Sequence, residues 1–93
     1  MVNKVNASHI LVKTQDEANS IVVDLMQGRN FEEIAAIKSI CPSRKNGGNL
    51  GWFGRGRMVK EFEAIAFSTP KGQISKPFKT QFGWHVIKVI DVA

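Results

Sequence analysis

The sequence predicts an α+β fold, with helices packed on a mostly antiparallel sheet, on three observations. Two capped segments with apolar residues at helical spacing lie in the first half of the chain, and a third follows the glycine-rich middle. Runs rich in β-branched residues open and close the chain. The elements come in the order strand, helices, strand, helix, two strands.

Val5 to Val12 alternates β-branched and apolar residues around Ser8 and His9, which reads as the opening strand. Thr14-Gln15-Asp16-Glu17 then forms a capping box, in which the Thr14 hydroxyl accepts from the Glu17 amide while Glu17 reaches back. Ala18, Ile21, Val22 and Leu25 follow at helical spacing, and Gly28 suits the end of that helix. Asn30 and Glu33 repeat the cap for a second helix carrying Phe31, Ile34, Ala35 and Ile37. Five of the eight glycines fall between Cys41 and Met58. There Pro42 opens a short helical turn that Asn46-Gly47-Gly48 ends, and Leu50 to Phe53 makes a short strand. Phe62, Ile65 and Ala66 mark a third helix that stops before Thr69-Pro70, and Pro70-Lys71-Gly72 is a turn. A short strand is expected from Ile74 to Lys79, a turn at Gln81-Phe82-Gly83, and a long strand from Trp84 to Val92. On that last strand His85, Ile87 and Val89 share one face.

At 93 residues, 43% hydrophobic and 23% charged, the chain is one domain without room for two cores. No apolar run approaches the roughly 20 residues of a bilayer span. The N-terminal Met1-Val2-Asn3-Lys4-Val5-Asn6 has no apolar signal core, so the expectation is a soluble, cytoplasmic protein. The single cysteine, Cys41, excludes an internal disulfide and a multi-cysteine zinc site. Net charge is +5 and uneven: residues 1–40 hold four basic and five acidic side chains, residues 41–93 nine and three. That basic half would attract an anionic membrane surface, nucleic acid or acidic polypeptides, although the charges are scattered and also read as a solvated surface. No alternation of aromatic and basic residues on a sheet appears, which disfavours base readout.

Three side chains could carry chemistry near neutral pH: His9, Cys41 and His85. Each histidine alone in an apolar strand reads as a structural residue, whereas two on neighbouring strands suggest a shared role. No spacing of three or four ligands marks a metal site. A Cys–His nucleophilic pair and a merely buried thiol both remain open. The residues allow a His/Cys-centred cleft without naming its reaction.

Longer motifs do name one. The stretch Ser39-Ile40-Cys41-Pro42-Ser43, Gly47-Gly48-Asn49-Leu50-Gly51-Trp52-Phe53, Gly56-Arg57-Met58-Val59 and Phe62 resembles the central signature of parvulin-type peptidyl-prolyl cis/trans isomerases. Ala7-Ser8-His9-Ile10-Leu11-Val12 is similar to their opening strand, and Thr80-Gln81-Phe82-Gly83-Trp84-His85-Val86-Ile87-Lys88-Val89 to their closing one. These blocks cover nearly the whole chain in the family's order. The resemblance implies a four-stranded antiparallel sheet surrounded by four helices, in βαααβαββ order, and a stand-alone monomeric catalytic domain, without a WW module or targeting segment and without metal or cofactor.

By position, the resemblance assigns His9 and His85 to the family's paired histidines, Cys41 to its active-site cysteine and Thr80 to its hydrogen-bonding threonine. Leu50, Met58 and Phe62 fall where it builds the proline pocket, and Phe82 where a side chain flanks the substrate. The implied partners are proline-containing polypeptides. Asn49 replaces the acidic residue usual before the Leu-Gly of the loop, removing a charge expected near the cleft. The connection Lys13-Thr14-Gln15-Asp16 lacks the basic cluster of phosphate-directed members, so the substrate is not expected to be phosphorylated. Arg55, Arg57 and Lys60 are expected around the cleft rim. Two alternatives stand beside the isomerase: a non-catalytic peptide-binding chaperone with the same groove, and a binder of anionic surfaces.

Overall fold

The computed structural model describes residues 2–93. A four-stranded antiparallel sheet of order β2-β1-β4-β3 joins β1 (Lys4–Val12), β2 (Asn49–Gly54), β3 (Phe78–Thr80) and β4 (Gly83–Val92). Helices α1 (Gln15–Met26), α2 (Phe31–Lys38) and α3 (Lys60–Ser68) pack on it. The fold class is the expected one, with one correction: the fourth helix is a five-residue 3-10 turn, Pro42–Asn46. Pro42 presets its first turn, and Gly47, in the left-handed region, ends it too early for an α-helix to develop. None of the helices among the described residues is long and apolar enough to cross a membrane.

Both N-caps form as the sequence predicts: Thr14 Oγ1 accepts from Glu17 N at 3.2 Å, and Asn30 Oδ1 from Glu33 N at 2.9 Å. Glu17 completes its box differently, because its carboxylate accepts the Thr14 hydroxyl (3.1 Å). The β1–α1 connection is only Lys13 and Thr14. The expected strand Ile74–Lys79 is mostly irregular. Pro77 has no N–H to give a ladder, so regular pairing begins at Phe78, and Ile74 keeps one isolated bridge to Lys88.

The period-two pattern splits the sheet into two faces. Ile10, Val12 and Val86 pack beneath α1 and α2 on Ala18, Ile21, Leu25, Phe31, Ile34 and Ala35. On the other face Val5, Ala7, Phe53, Ile87 and Val89 pack on Phe62 and Ala66 of α3. Each fully buried isoleucine of the two layers, Ile10, Ile21 and Ile34 on the first and Ile87 on the second, contributes about 2 kcal/mol through apolar burial. His9 and Leu11 continue the α3 face of β1, and His85 that of β4, past the end of this second core. Register slips between Ala7 and Ser8 against β2, and between Asn6 and Ala7 against β4, bend β1 at its middle.

Candidate active site

Beyond Ser8, the edge of β1 that faces β2 loses its strand partner and takes up two loop segments instead. His9 N donates to Gly48 O (2.9 Å), and Ile40 N to Leu11 O (2.8 Å). A Cβ on Gly48 would lie 2.3 Å from His9 O, so only glycine allows this approach. Buried Ser39 secures the second segment: its Oγ accepts from Leu11 N (3.1 Å) and from Cys41 N (3.3 Å). The chain from Ile40 to Leu50 therefore crosses the end of the sheet and brings Cys41 over the histidines.

The result is a cleft of about 570 Å³. His9 and His85 line it from the sheet, with Leu11 beside them, and Phe62, Met58 and Val59 from α3 and its approach. Leu50, Ile40, Cys41 and Pro42 come from the crossing segment, Phe82 from the β3–β4 turn, and Arg57 is the one charged residue on the wall. Leu50, Met58 and Phe62 thus meet, as the resemblance implies, and Phe82 stands at the edge, 59% exposed. Leu11, Ile40, Pro42 and Val59 also line the cleft. Leu11 was legible through its two-residue spacing from His9, whereas Ile40 arrives only through the long-range contact with β1. Thr80 lies behind the wall. Asn49 is off the wall too, its Oδ1 accepting from Gly51 N at 2.9 Å. Arg55 and Lys60, expected on the rim, do not line the cleft. Among the described residues no three His, Cys, Asp or Glu side chains converge to hold a metal ion.

The two rings lie nearly parallel, with Nδ1 to Nδ1 at 3.2 Å, and both residues are almost fully buried. His85 Nε2 is 2.7 Å from Thr80 Oγ1, which also accepts from Phe82 N at 3.1 Å. Phe62 meets both rings edge to face, and Phe78 stacks on the other side of His85. Burial first, and then the nearby His85, pushes the His9 pKa down to about 4. Burial alone lowers His85 to about 4. Both imidazoles are neutral at pH 7, and their hydrogen bonds restrict the tautomers. If the Thr80 hydroxyl donates to His85 Nε2, His85 carries its proton on Nδ1 and donates it to His9 Nδ1. That leaves one unpaired group, His9 Nε2, which is buried without a partner. The reverse direction orphans the Thr80 proton as well, so the first is favoured. Full protonation of both rings would set two N–H groups head-on across the Nδ1 contact, so the intact pair accepts at most one proton beyond its neutral state.

Comparison with known proteins agrees with this geometry. A family model described as "Rotamase: PPIC-type PPIASE domain" matches residues 5–91. The foldase protein PrsA of a Geobacillus strain is 51% identical over 89 residues, which are 95% of this chain and 32% of that protein. The chain thus spans about a third of the length of this and other curated relatives it matches. The crystal structure of PrsA from Bacillus anthracis superposes with a TM-score of 0.96 at 40% identity, over 99% of this chain and 43% of that one. The solution structure of NmPin, the parvulin of Nitrosopumilus maritimus, matches end to end: 98% of this chain and 99% of that one, 44% identity, TM-score 0.89.

Proposed function

The chain belongs to the PPIC-type, or parvulin, family of peptidyl-prolyl cis/trans isomerases, and we propose that it isomerises unphosphorylated X–Pro bonds with the proline ring held against Leu50, Met58 and Phe62. The observation that supports this reading is the apolar cleft floored by two neutral, mutually hydrogen-bonded histidines.

Rotation about an X–Pro bond must break amide resonance, against a barrier of about 18–20 kcal/mol. The planar amide is dipolar. The twisted one is less so, and its nitrogen lone pair becomes free. An apolar cleft disfavours the planar dipole and so binds the twisted form more tightly, which lowers the barrier. Met58 has a flexible side chain that follows a turning ring better than a branched one. The histidines set the polarity of the floor without exchanging protons with substrate, since both Nδ1 atoms are engaged with each other, His85 Nε2 with Thr80, and His9 Nε2 is buried. Cys41 serves as a weakly polar neighbour of the moving carbonyl. The two-residue β1–α1 connection has no room for a basic cluster, in keeping with an unphosphorylated substrate. Leu11, Ile40 and Phe82 favour an apolar residue before the proline.

The test is two-dimensional NMR exchange on proline peptides with varied preceding residues. Catalytic amounts of the protein should raise the exchange rate, most for apolar residues before proline, and unchanged rates would overturn the proposal. A second reading, a peptide-binding chaperone, is favoured by the relatives that carry the name foldase. It predicts peptide binding without faster exchange. Attachment of the monomeric domain to an anionic surface is the weaker extension. Three of the nine basic residues of the second half are already in ion pairs, namely Arg55, Lys71 and Lys88. Salt-sensitive sedimentation with anionic vesicles tests it.

A further inference from the structure

Beside the cleft lies a second hollow of about 290 Å³, lined by Lys4, Trp52, Phe53, Gly54, Arg55 and Arg57. Arg57 lines both hollows, and no carboxylate lines either. Of its three cations, Arg55 is already engaged: its guanidinium is 3.9 Å from Glu63 and lies over the Phe67 ring at 4.3 Å. Arg57 and Lys4 take part in none of the ion pairs among the described residues. The loop that presents Arg57 is tied down. Gly56 N donates to Glu63 Oε1 at 2.6 Å, and Gly56 itself has φ +83, a conformation glycine adopts without strain. Helix α3 therefore holds the loop through one carboxylate while the next cation along, Arg57, stays free at the junction of the two hollows. Trp52, 46% exposed, adds a flat apolar wall.

We propose that this second hollow is a subsite for an acidic side chain of the same polypeptide whose prolyl bond occupies the cleft. Arg57 is the shared cation and Lys4 its supplement. The inference rests on the prolyl-isomerase reading of the cleft and deepens it. A chain leaving the cleft toward the second hollow passes Arg57, whose planar fork matches a carboxylate in two parallel hydrogen bonds. The residue that precedes proline stays apolar, against Leu11, Ile40 and Phe82. The acidic residue falls outside the X–Pro pair, on one flank only. Because the site is open to water, its effect is a preference of about three- to fivefold rather than an absolute requirement.

The rival explanation is general attraction between an acidic peptide and a basic protein, which would be nearly independent of position and would survive the loss of any one cation. Peptides built on a single Leu-Pro pair, with Glu, Gln or Lys walked through each flanking position, separate the two in the NMR exchange assay at low salt. The expected result is a Glu-over-Gln preference of about three- to fivefold that peaks at one position, with Lys below Gln there. The preference should approach unity in Arg57→Gln and in high salt, fall partway in Lys4→Gln, and persist in Arg29→Gln, which removes a cation from the α1–α2 turn. The Trp52 indole N–H resonance should shift with the favoured Glu peptide and not with its Gln counterpart. Equal rates for Glu and Gln at every position, or a flat preference that survives Arg57→Gln, would overturn the subsite while leaving the isomerase reading intact. Failure of the wild type to accelerate the Gln and Glu peptides alike would overturn both.

Discussion

Beneath α1 and α2, Ile10, Val12 and Val86 meet an apolar layer with no ionisable group in it, and the helices close over it completely. On the opposite face the same strands carry His9 and His85, and α3 covers Val5, Ala7, Ile87 and Val89 while leaving the histidine end open as the cleft. One face is finished and the other is interrupted. The interruption takes two side chains that prefer water and buries them, at a cost in stability, to make a floor that stays neutral.

Damage to the closed face should be the largest effect and should separate stability from activity. Ile34→Ala is expected to cost about 2–5 kcal/mol in urea unfolding, against a total of roughly 5–15 kcal/mol for a domain. The exchange rate per folded molecule should be almost unchanged, since Ile34 does not line the cleft. A proportionate loss of rate in the folded fraction would show that the faces are coupled.

Acid should sharpen the same contrast from the other side. Both histidines are held near pKa 4 in the folded chain by burial, against about 6.5 for a solvated histidine. The unfolded chain therefore binds protons first, so stability is full above pH 6.5 and is lost as pH falls from there toward 4. The limiting slope is about 1.4 kcal/mol per pH unit for each histidine, so the loss over the window approaches about 7 kcal/mol at most. His85→Gln should flatten the slope by about half. An unfolding free energy independent of pH between 7 and 4 would contradict the buried neutral pair.

Thr80→Val should cost about 1–3 kcal/mol, because it leaves Phe82 N–H and His85 Nε2 without their shared partner. Turnover should fall as well, with Thr80→Ser restoring both, whereas a purely packing role would make valine the better substitute. Cys41→Ser is the smallest change, within about threefold of wild-type turnover, or under 1 kcal/mol. Complete loss of activity in a folded Cys41→Ser variant, together with a covalent adduct trapped on wild-type Cys41, would make the thiol a nucleophile.

What was legible in the sequence was whatever local chemistry decides. Thr14 and Asn30 cap as their spacing predicts, and the alternation in β4 puts His85, Ile87 and Val89 on one face. The expected strand Ile74–Lys79 is cut back to Phe78–Thr80, because Pro77 has no N–H to give the ladder. The wall of the cleft was harder to read. Ile40 and Ser39 matter because they bond to Leu11, far away in the chain, and no periodicity announces such a contact. The proline pocket of Leu50, Met58 and Phe62 looks like ordinary core from spacing alone, and only the family resemblance marked it out. Phe78, stacked on His85, gave no signal beyond its place in a strand.

The two rims of the sheet carry a further consequence. β3 offers only three residues to a neighbour and follows a proline, while six-residue β2 has Gly51 at φ +72 beside its register slip against β1. Neither rim presents a long regular row of free amides and carbonyls on which another molecule could stack. An extended polypeptide lying against either rim thus finds little backbone to pair with as a further strand.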